Sequence, residues 1–169
     1  MLKSILTTLF VVFFVASLSG CTGTYVINDS QALQPNLDQE YSTIYILREK
    51  PQYITGFPNQ PIKIDINGYA MGKLSYGEYI MLHIKPTEGT IRFLSLDVYG
   101  PIHEPRELAG EETFNFSAGQ TNFIRAKFID GEFRGAYFKP ERIEFNRARK
   151  LAENLKPYKI KKGQRITDL

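Results

Sequence analysis

Apolar positions recur at two different periods along this chain. Ile62, Ile64 and Ile66 alternate with Lys63 and Asp65, which predicts a strand with one buried face, because successive strand side chains point to opposite sides. Asn67-Gly68 follows, a pair suited to a two-residue type I′ turn, whose central residues both need positive φ. Tyr69 to Leu74 reads as the returning strand. After a turn at Ser75-Tyr76-Gly77, Glu78 to Ile84 reads as the next, with Ile80, Leu82 and Ile84 on one face. Pro86 to Gly89 is expected to turn and Thr90 to Leu96 to form a further strand. Upstream, Thr43 to Arg48 is rich in β-branched and aromatic residues, and Lys50 to Gln60 reads as a loop. Downstream, Gly100 to Gly110 is expected to be a long polar loop. Strands are predicted at Thr113 to Phe116, Asn122 to Phe128 and Phe133 to Phe138, separated by turns at Ala118-Gly119 and Asp130-Gly131. Many short strands joined by close turns predict a mainly β fold, a small antiparallel β-sandwich.

The period then changes. Pro140 suits the first turn of a helix, and Phe145, Ala148, Leu151, Ala152 and Leu155 recur at helical spacing. A C-terminal amphipathic helix is therefore expected from Pro140 to Leu155, with Glu141 and Glu144 near its positive end and Lys150 and Lys156 near its negative end. Arg142, Arg149 and Lys156 stand seven apart, so they are predicted to share a second face. Pro157 is expected to close the helix, and Tyr158 to Leu169 to form a basic tail.

The N-terminus carries a different signal. Met1 to Lys3 is short and basic, and Ile5 to Ala16 is almost wholly apolar. That run falls short of the roughly 20 apolar residues a membrane span needs and fits the apolar region of a secretory signal peptide. The next residues, Leu18-Ser19-Gly20-Cys21, resemble the bacterial lipobox. Cleavage is then expected between Gly20 and Cys21, with lipid on the Cys21 thiol. Cys21 is the only cysteine, so no disulfide within the chain competes for it. One acyl chain binds membranes marginally and several anchor stably, so a triacylated Cys21 would hold firmly. Thr22 rather than Asp follows it, which points to the outer membrane, facing the periplasm. The organisation expected is a signal peptide over residues 1–20, a lipidated cysteine and tether over 21–41, a β-sandwich domain with its helix over 42–157, and the basic tail over 158–169.

Charge is unevenly distributed. From Cys21 to Phe138 there are 10 Lys/Arg against 14 Asp/Glu, and from Lys139 to Leu169 10 against 4. A mildly acidic body thus carries a basic end. For an exported chain, nucleic acid is not an expected partner. Anionic lipid, an anionic envelope glycan or an acidic face of an envelope protein is. Arg142, Arg149, Lys156, Lys161 and Lys162 are the candidate binding cations. Tyr76 and Tyr79 are candidate aromatics for a glycan platform.

No catalytic pattern emerges, and neither a cofactor nor a metal is implied. His83 is expected to be half-exposed on its strand. His103-Glu104 lacks the second histidine of a zinc protease helix, and no Gly-x-Ser-x-Gly elbow is present. Glu104, Glu107, Glu111 and Glu112 cluster in and after the expected loop. Paired carboxylates can cut glycosidic bonds, but a solvated acidic segment explains them as simply. A non-catalytic binding or recruiting role is expected, with a glycan-binding module as the alternative and a carboxylate hydrolase third.

The stretch from Ile62 to Leu74, with Gly77, Tyr79, Pro86 and Gly89-Thr90-Ile91, resembles an uncharacterised lipoprotein domain family of Gram-negative bacteria related to PEGA-type β-modules. The resemblance spans Ser42 to Leu155, with its specific motifs between Ile62 and Ile91. It departs at Pro86-Thr87-Glu88-Gly89, where the family sets Pro and Gly side by side. It implies a small antiparallel β-sandwich often closed by a short helix, and brings no activity and no catalytic residues.

Overall fold

The computed structural model describes residues 25–26, 33, 40–50, 60–99, 104–131 and 135–158. Its strands are β1 (Tyr25–Val26), β2 (Ser42–Arg48), β3 (Ile62–Ile66), β4 (Tyr69–Leu74), β5 (Glu78–Ile84), β6 (Thr87–Tyr99), β7 (Glu104–Phe116), β8 (Thr121–Ile129), β9 (Tyr137–Ile143) and β10 (Lys156–Pro157), with one helix, α1 (Phe145–Ala152), between β9 and β10. They form two sheets. One has the order β1-β5-β2-β8-β9, with β10 also on β5, and the other the order β4-β3-β6-β7. The β-sandwich with a C-terminal helix expected from the sequence is the fold observed.

The core lies between the sheets. The alternating residues Ile62, Ile64 and Ile66 of β3 and Ile80, Leu82 and Ile84 of β5 meet there, with Ile44, Ile46, Phe93, Phe116 and Ile124. Each such side chain fully removed from water contributes about 1.5–3 kcal/mol. Asn67 and Gly68 have φ of 53° and 86°, the left-handed pair the hairpin turn requires. The β3–β4 register shifts after Ile64, which faces Gly72 while Asp65 faces Ala70. The shift leaves Met71 as an extra residue, and Gly72 takes φ +145° beside it.

A third layer covers the far side of the first sheet. β2 is buried on both faces. Ile44 and Ile46 point into the sandwich, while Tyr45 and Leu47 point to a second cluster with Tyr79, Phe123 and Ile143 under Ala148 of α1. Phe145, Leu151, Ala152 and Leu155 pack on that cluster, so the helical face read from the sequence is the buried one. Tyr45 stacks on Phe123 at 5.4 Å, and Phe123 meets Phe145 at 5.5 Å. His83 is 4% exposed rather than half-exposed. It lies between β1 and β2, opposite Tyr25 and Thr43, and its Nδ1 lies 3.1 Å from the Thr43 hydroxyl.

Several expectations are corrected. The sandwich is not wholly antiparallel: β8 runs parallel to β2, Tyr45 opposite Phe123. The chain leaves β2, builds the whole second sheet, and returns in the same direction, the long connection a parallel pair needs. The turn expected over Pro86 to Gly89 is shorter, because β6 already starts at Thr87. Most of the expected loop from Gly100 to Gly110 is strand. β7 pairs with β6 from Tyr99–Glu104 to Thr87–Phe116, a hairpin of two 13-residue strands. Pro105 is accommodated because β7 is an edge strand with one side of its backbone unpaired.

The helix does not start at Pro140. That residue is buried in β9 opposite Ala126, again on the edge strand of its sheet. The strand expected over Phe133 to Phe138 lies later, at Tyr137–Ile143. α1 begins after Glu144, whose extended backbone serves as N-cap without a side-chain bond. It ends at Ala152, and Arg149 and Lys150 complement its last turn. Pro157 does not close the helix but lies in β10. Two pieces of the stretch read as tether touch the domain: β1 pairs with β5, and Leu33 is 6% exposed in the cluster under α1. Residues 1–20, residues 51–59 of the expected loop and residues 159–169 of the expected tail lie outside the described residues.

Candidate binding surface

The residues singled out in the sequence do not converge on one place. Tyr79 is 6% exposed in the cluster beneath α1, with its ring 6.4 Å from that of Tyr45. It cannot present an aromatic face to a glycan. Tyr76 is half-buried on the sandwich core, and the Arg48 guanidinium covers its ring at 3.9 Å. Arg142, Arg149 and Lys156 do not share a helical face, because they belong to β9, α1 and β10. Arg142 donates to the Asn115 carbonyl at 3.0 Å and lies over the Phe114 ring, which ties the edges of the two sheets together. Arg149 lies 5.9 Å from the Phe145 ring centre, and Lys156 is exposed. Gly20, Cys21, Lys161 and Lys162 lie outside the described residues.

The carboxylates expected to cluster in a loop are spread along β7 in ion pairs. Alternation sends Glu107 and Glu111 to the outer face of the second sheet, where they meet Lys63 at 2.6 Å and Arg92 at 2.8 Å. Glu112 points the other way, to Lys139 at 2.8 Å. The side chains of His103 and Glu104 are outside the described residues.

A second ion-pair group joins β8 and β9. Glu141 accepts from Lys127 at 2.9 Å and from the Arg125 Nε, and Arg125 also reaches Glu49 at 3.4 Å. The hydrogen bond from Lys127, reinforced by Arg125, holds the Glu141 carboxyl below its ordinary range against a smaller opposing effect of burial. The hydrogen bond from Lys139 to Glu112 raises the Lys139 ammonium above its ordinary value. Lys127, Glu141, Lys139 and Glu112 line, with Phe114 and Arg142, a shallow recess of about 310 Å³, where Lys127 is paired with Glu141 and Lys139 with Glu112.

The larger recess is a groove of about 590 Å³ between α1 and the end of β2. Leu151 and Leu155 give it an apolar floor. Lys50, Arg147 and Lys150 stand on its rim with Glu49 and Glu153. Arg147 and Lys150 reach one side because residues three apart on a helix are neighbours. That spacing was visible in the sequence. Their meeting with Glu49 and Lys50 was not, because it depends on α1 lying across the first sheet. An apolar floor under a mixed charged rim suits a peptide or protein segment.

The buried cation Arg48 was also missed. Nη1 donates to the Leu74 carbonyl at 2.6 Å, and the guanidinium lies over both the Tyr76 and Phe138 rings, 4.6 Å from the latter. Burial lowers its pKa, an effect partly offset by Tyr76 and Glu78. An arginine at the end of the apolar run Ile44 to Leu47 was the available signal.

Among the described residues no group of three or more His, Cys, Asp and Glu side chains could hold a metal ion, and no helix is long and apolar enough to cross a membrane. No family model, no curated protein and no solved structure matches the chain.

Proposed function

We propose that this protein is a lipid-anchored component of the bacterial cell envelope that binds another envelope component without catalysing a reaction. The observation that carries the proposal is the lipobox-like Leu18-Ser19-Gly20-Cys21, closing an apolar run of signal-peptide length and containing the only thiol of the chain. Thr22 after the cysteine fits attachment to the outer membrane, facing the periplasm. The resemblance of Ile62 to Ile91 to PEGA-related lipoprotein modules fits the same setting.

Binding is assigned to the groove between α1 and β2. Its floor of Leu151 and Leu155 beneath a rim of Lys50, Arg147, Lys150, Glu49 and Glu153 favours a protein partner with an apolar anchor and charged flanks. The burial of Tyr79 and the cation over the Tyr76 ring weigh against these two residues as a glycan platform. The ion pairs of Glu107, Glu111 and Glu112 supply a structural role for the carboxylates a hydrolase would use.

The test is crosslinking in cells from a photoreactive residue placed at Arg147. One dominant envelope protein, lost when Leu151→Asp or Lys150→Glu is added, is the expected result. Crosslinks that are unchanged by both substitutions would contradict the groove assignment. Recovery of membrane-free protein from wild-type cells would contradict the anchor.

A further inference from the structure

The wall of the groove between α1 and the end of β2 narrows the choice of partner. Arg147, Lys150, Leu151, Asn154 and Leu155 line it from the helix side, because steps of three and four return to one face. The turn after α1 keeps that spacing. Asn154 N–H donates to the Leu151 carbonyl at 3.2 Å and Leu155 N–H to the Ala152 carbonyl at 3.0 Å. At about 1.5 Å per residue the wall from Arg147 to Leu155 is about 12 Å long. That length matches about three or four residues of extended chain, at about 3.3 Å each. Glu49 and Lys50 line the groove from the β2 side.

The charges of the rim are not equivalent. Glu49 is engaged by Arg125 at 3.4 Å, while Arg125 and Lys127 together hold Glu141. These two acids and two cations satisfy one another. Lys50, Arg147 and Lys150 are exposed, and none of them is in an ion pair among the described residues. Against these three cations the rim sets one further acid, the exposed Glu153. The uncommitted charge of the groove is therefore mainly positive, and it stands beside the apolar floor of Leu151 and Leu155. Asn154 is exposed on the same wall, and a side-chain amide carries both a donor and an acceptor.

We propose, resting on the reading that this groove binds a protein, that its occupant is a short extended segment of an envelope protein in which acidic residues flank one large apolar side chain. The apolar side chain leaves water against Leu151 and Leu155. The acidic residues meet Lys50, Arg147 and Lys150, whose charge also steers the encounter. The Asn154 amide matches the donor and acceptor of a peptide unit. An anionic polysaccharide has charge for the rim but no large apolar group for the floor.

The test uses the mature chain with Cys21→Ser, free in solution, and two synthetic peptides followed by NMR, acetyl-Glu-Asp-Leu-Glu-Asp-amide and acetyl-Lys-Lys-Leu-Lys-Lys-amide. At low salt the acidic peptide should shift the amide signals of Lys150, Leu151 and Asn154 to saturation, and the basic peptide should not. Lys50→Gln, Arg147→Gln and Lys150→Gln should each weaken the acidic peptide about two- to fivefold, and high salt should weaken it further. Changing all three cations to glutamate should reverse the preference between the peptides. Circular dichroism checks that the fold survives these exposed changes. Equal binding of both peptides, no saturable shift with either, or an unaltered preference after the triple change would overturn the acidic partner. Dextran sulfate moving the same signals as tightly as the leucine-bearing peptide would overturn it in favour of an anionic glycan. In cells, the crosslink from Arg147 separates this proposal from the reading beneath it. A crosslink lost with Leu151→Asp but kept with Lys50→Glu and Lys150→Glu would leave the groove a protein site and overturn the acidic chemistry.

Discussion

The Arg48 guanidinium lies 3.9 Å from the centre of the Tyr76 ring, inside the sandwich and 0% exposed. It closes the end of β2 against the β4–β5 turn by donating to the Leu74 carbonyl. Arg48→Met would keep most of the packing but leave that carbonyl unpaired, so it should cost about 1–3 kcal/mol. Arg48→Ala would add a cavity and should cost more. Urea unfolding followed by circular dichroism measures both, and an unchanged midpoint for Arg48→Ala would refute the role.

Two glycines should respond for opposite reasons. A Cβ at Gly110 would collide with the Phe138 carbonyl oxygen, where β7 passes β9, so Gly110→Ala must move backbone and should destabilise by about 1–3 kcal/mol. At Gly68 a Cβ meets nothing within 4 Å, but φ is +86°, so Gly68→Ala should cost about 1 kcal/mol through strain. Thermal unfolding should rank Gly110→Ala as the more damaging.

Tyr79→Ala should act on stability rather than on a surface. Its ring is buried between Tyr45 and the helix cluster, and removing a buried aromatic costs about 3–5 kcal/mol. Loss of any binding in this variant should therefore accompany a lower melting temperature. Lost binding with native stability would restore Tyr79 as a contact residue.

Stability should fall in acid through Glu141. Its folded pKa is lowered by Lys127 and Arg125. The stabilisation is therefore present above the unfolded carboxyl value of 4.5 and lost as pH falls through the lower folded value. Glu141→Gln should flatten this acid limb in unfolding measured from neutral pH downward. An identical slope in both proteins would contradict the assignment.

What the sequence revealed was what is decided locally. The alternation of Ile62, Ile64 and Ile66 and the Asn67-Gly68 turn need only neighbouring residues, and both appear as read. The apolar face of α1 was legible for the same reason. Glu104 to Glu112 was misread because its outward residues are charged and its stability as strand comes from pairing with β6 and from Lys63 and Arg92 on other strands. Pro140 carries the same local preference at a helix start and on an edge strand, and only the place of β9 in its sheet decides between them. The burial of Tyr79 depends on a helix more than sixty residues later, and His83 lies between two strands far from it in the chain. The expected basic face dissolved with the helix boundary, since Arg142 and Lys156 fall on strands either side of α1.

The most direct test of the lipid anchor is the intact mass of the mature protein extracted from cell membranes. The expected species is a chain starting at Cys21 whose mass exceeds the polypeptide by a diacylglyceryl group and an amide-linked acyl chain, with both additions absent after Cys21→Ser. A mature chain of unmodified mass, or one beginning anywhere other than Cys21, would contradict it.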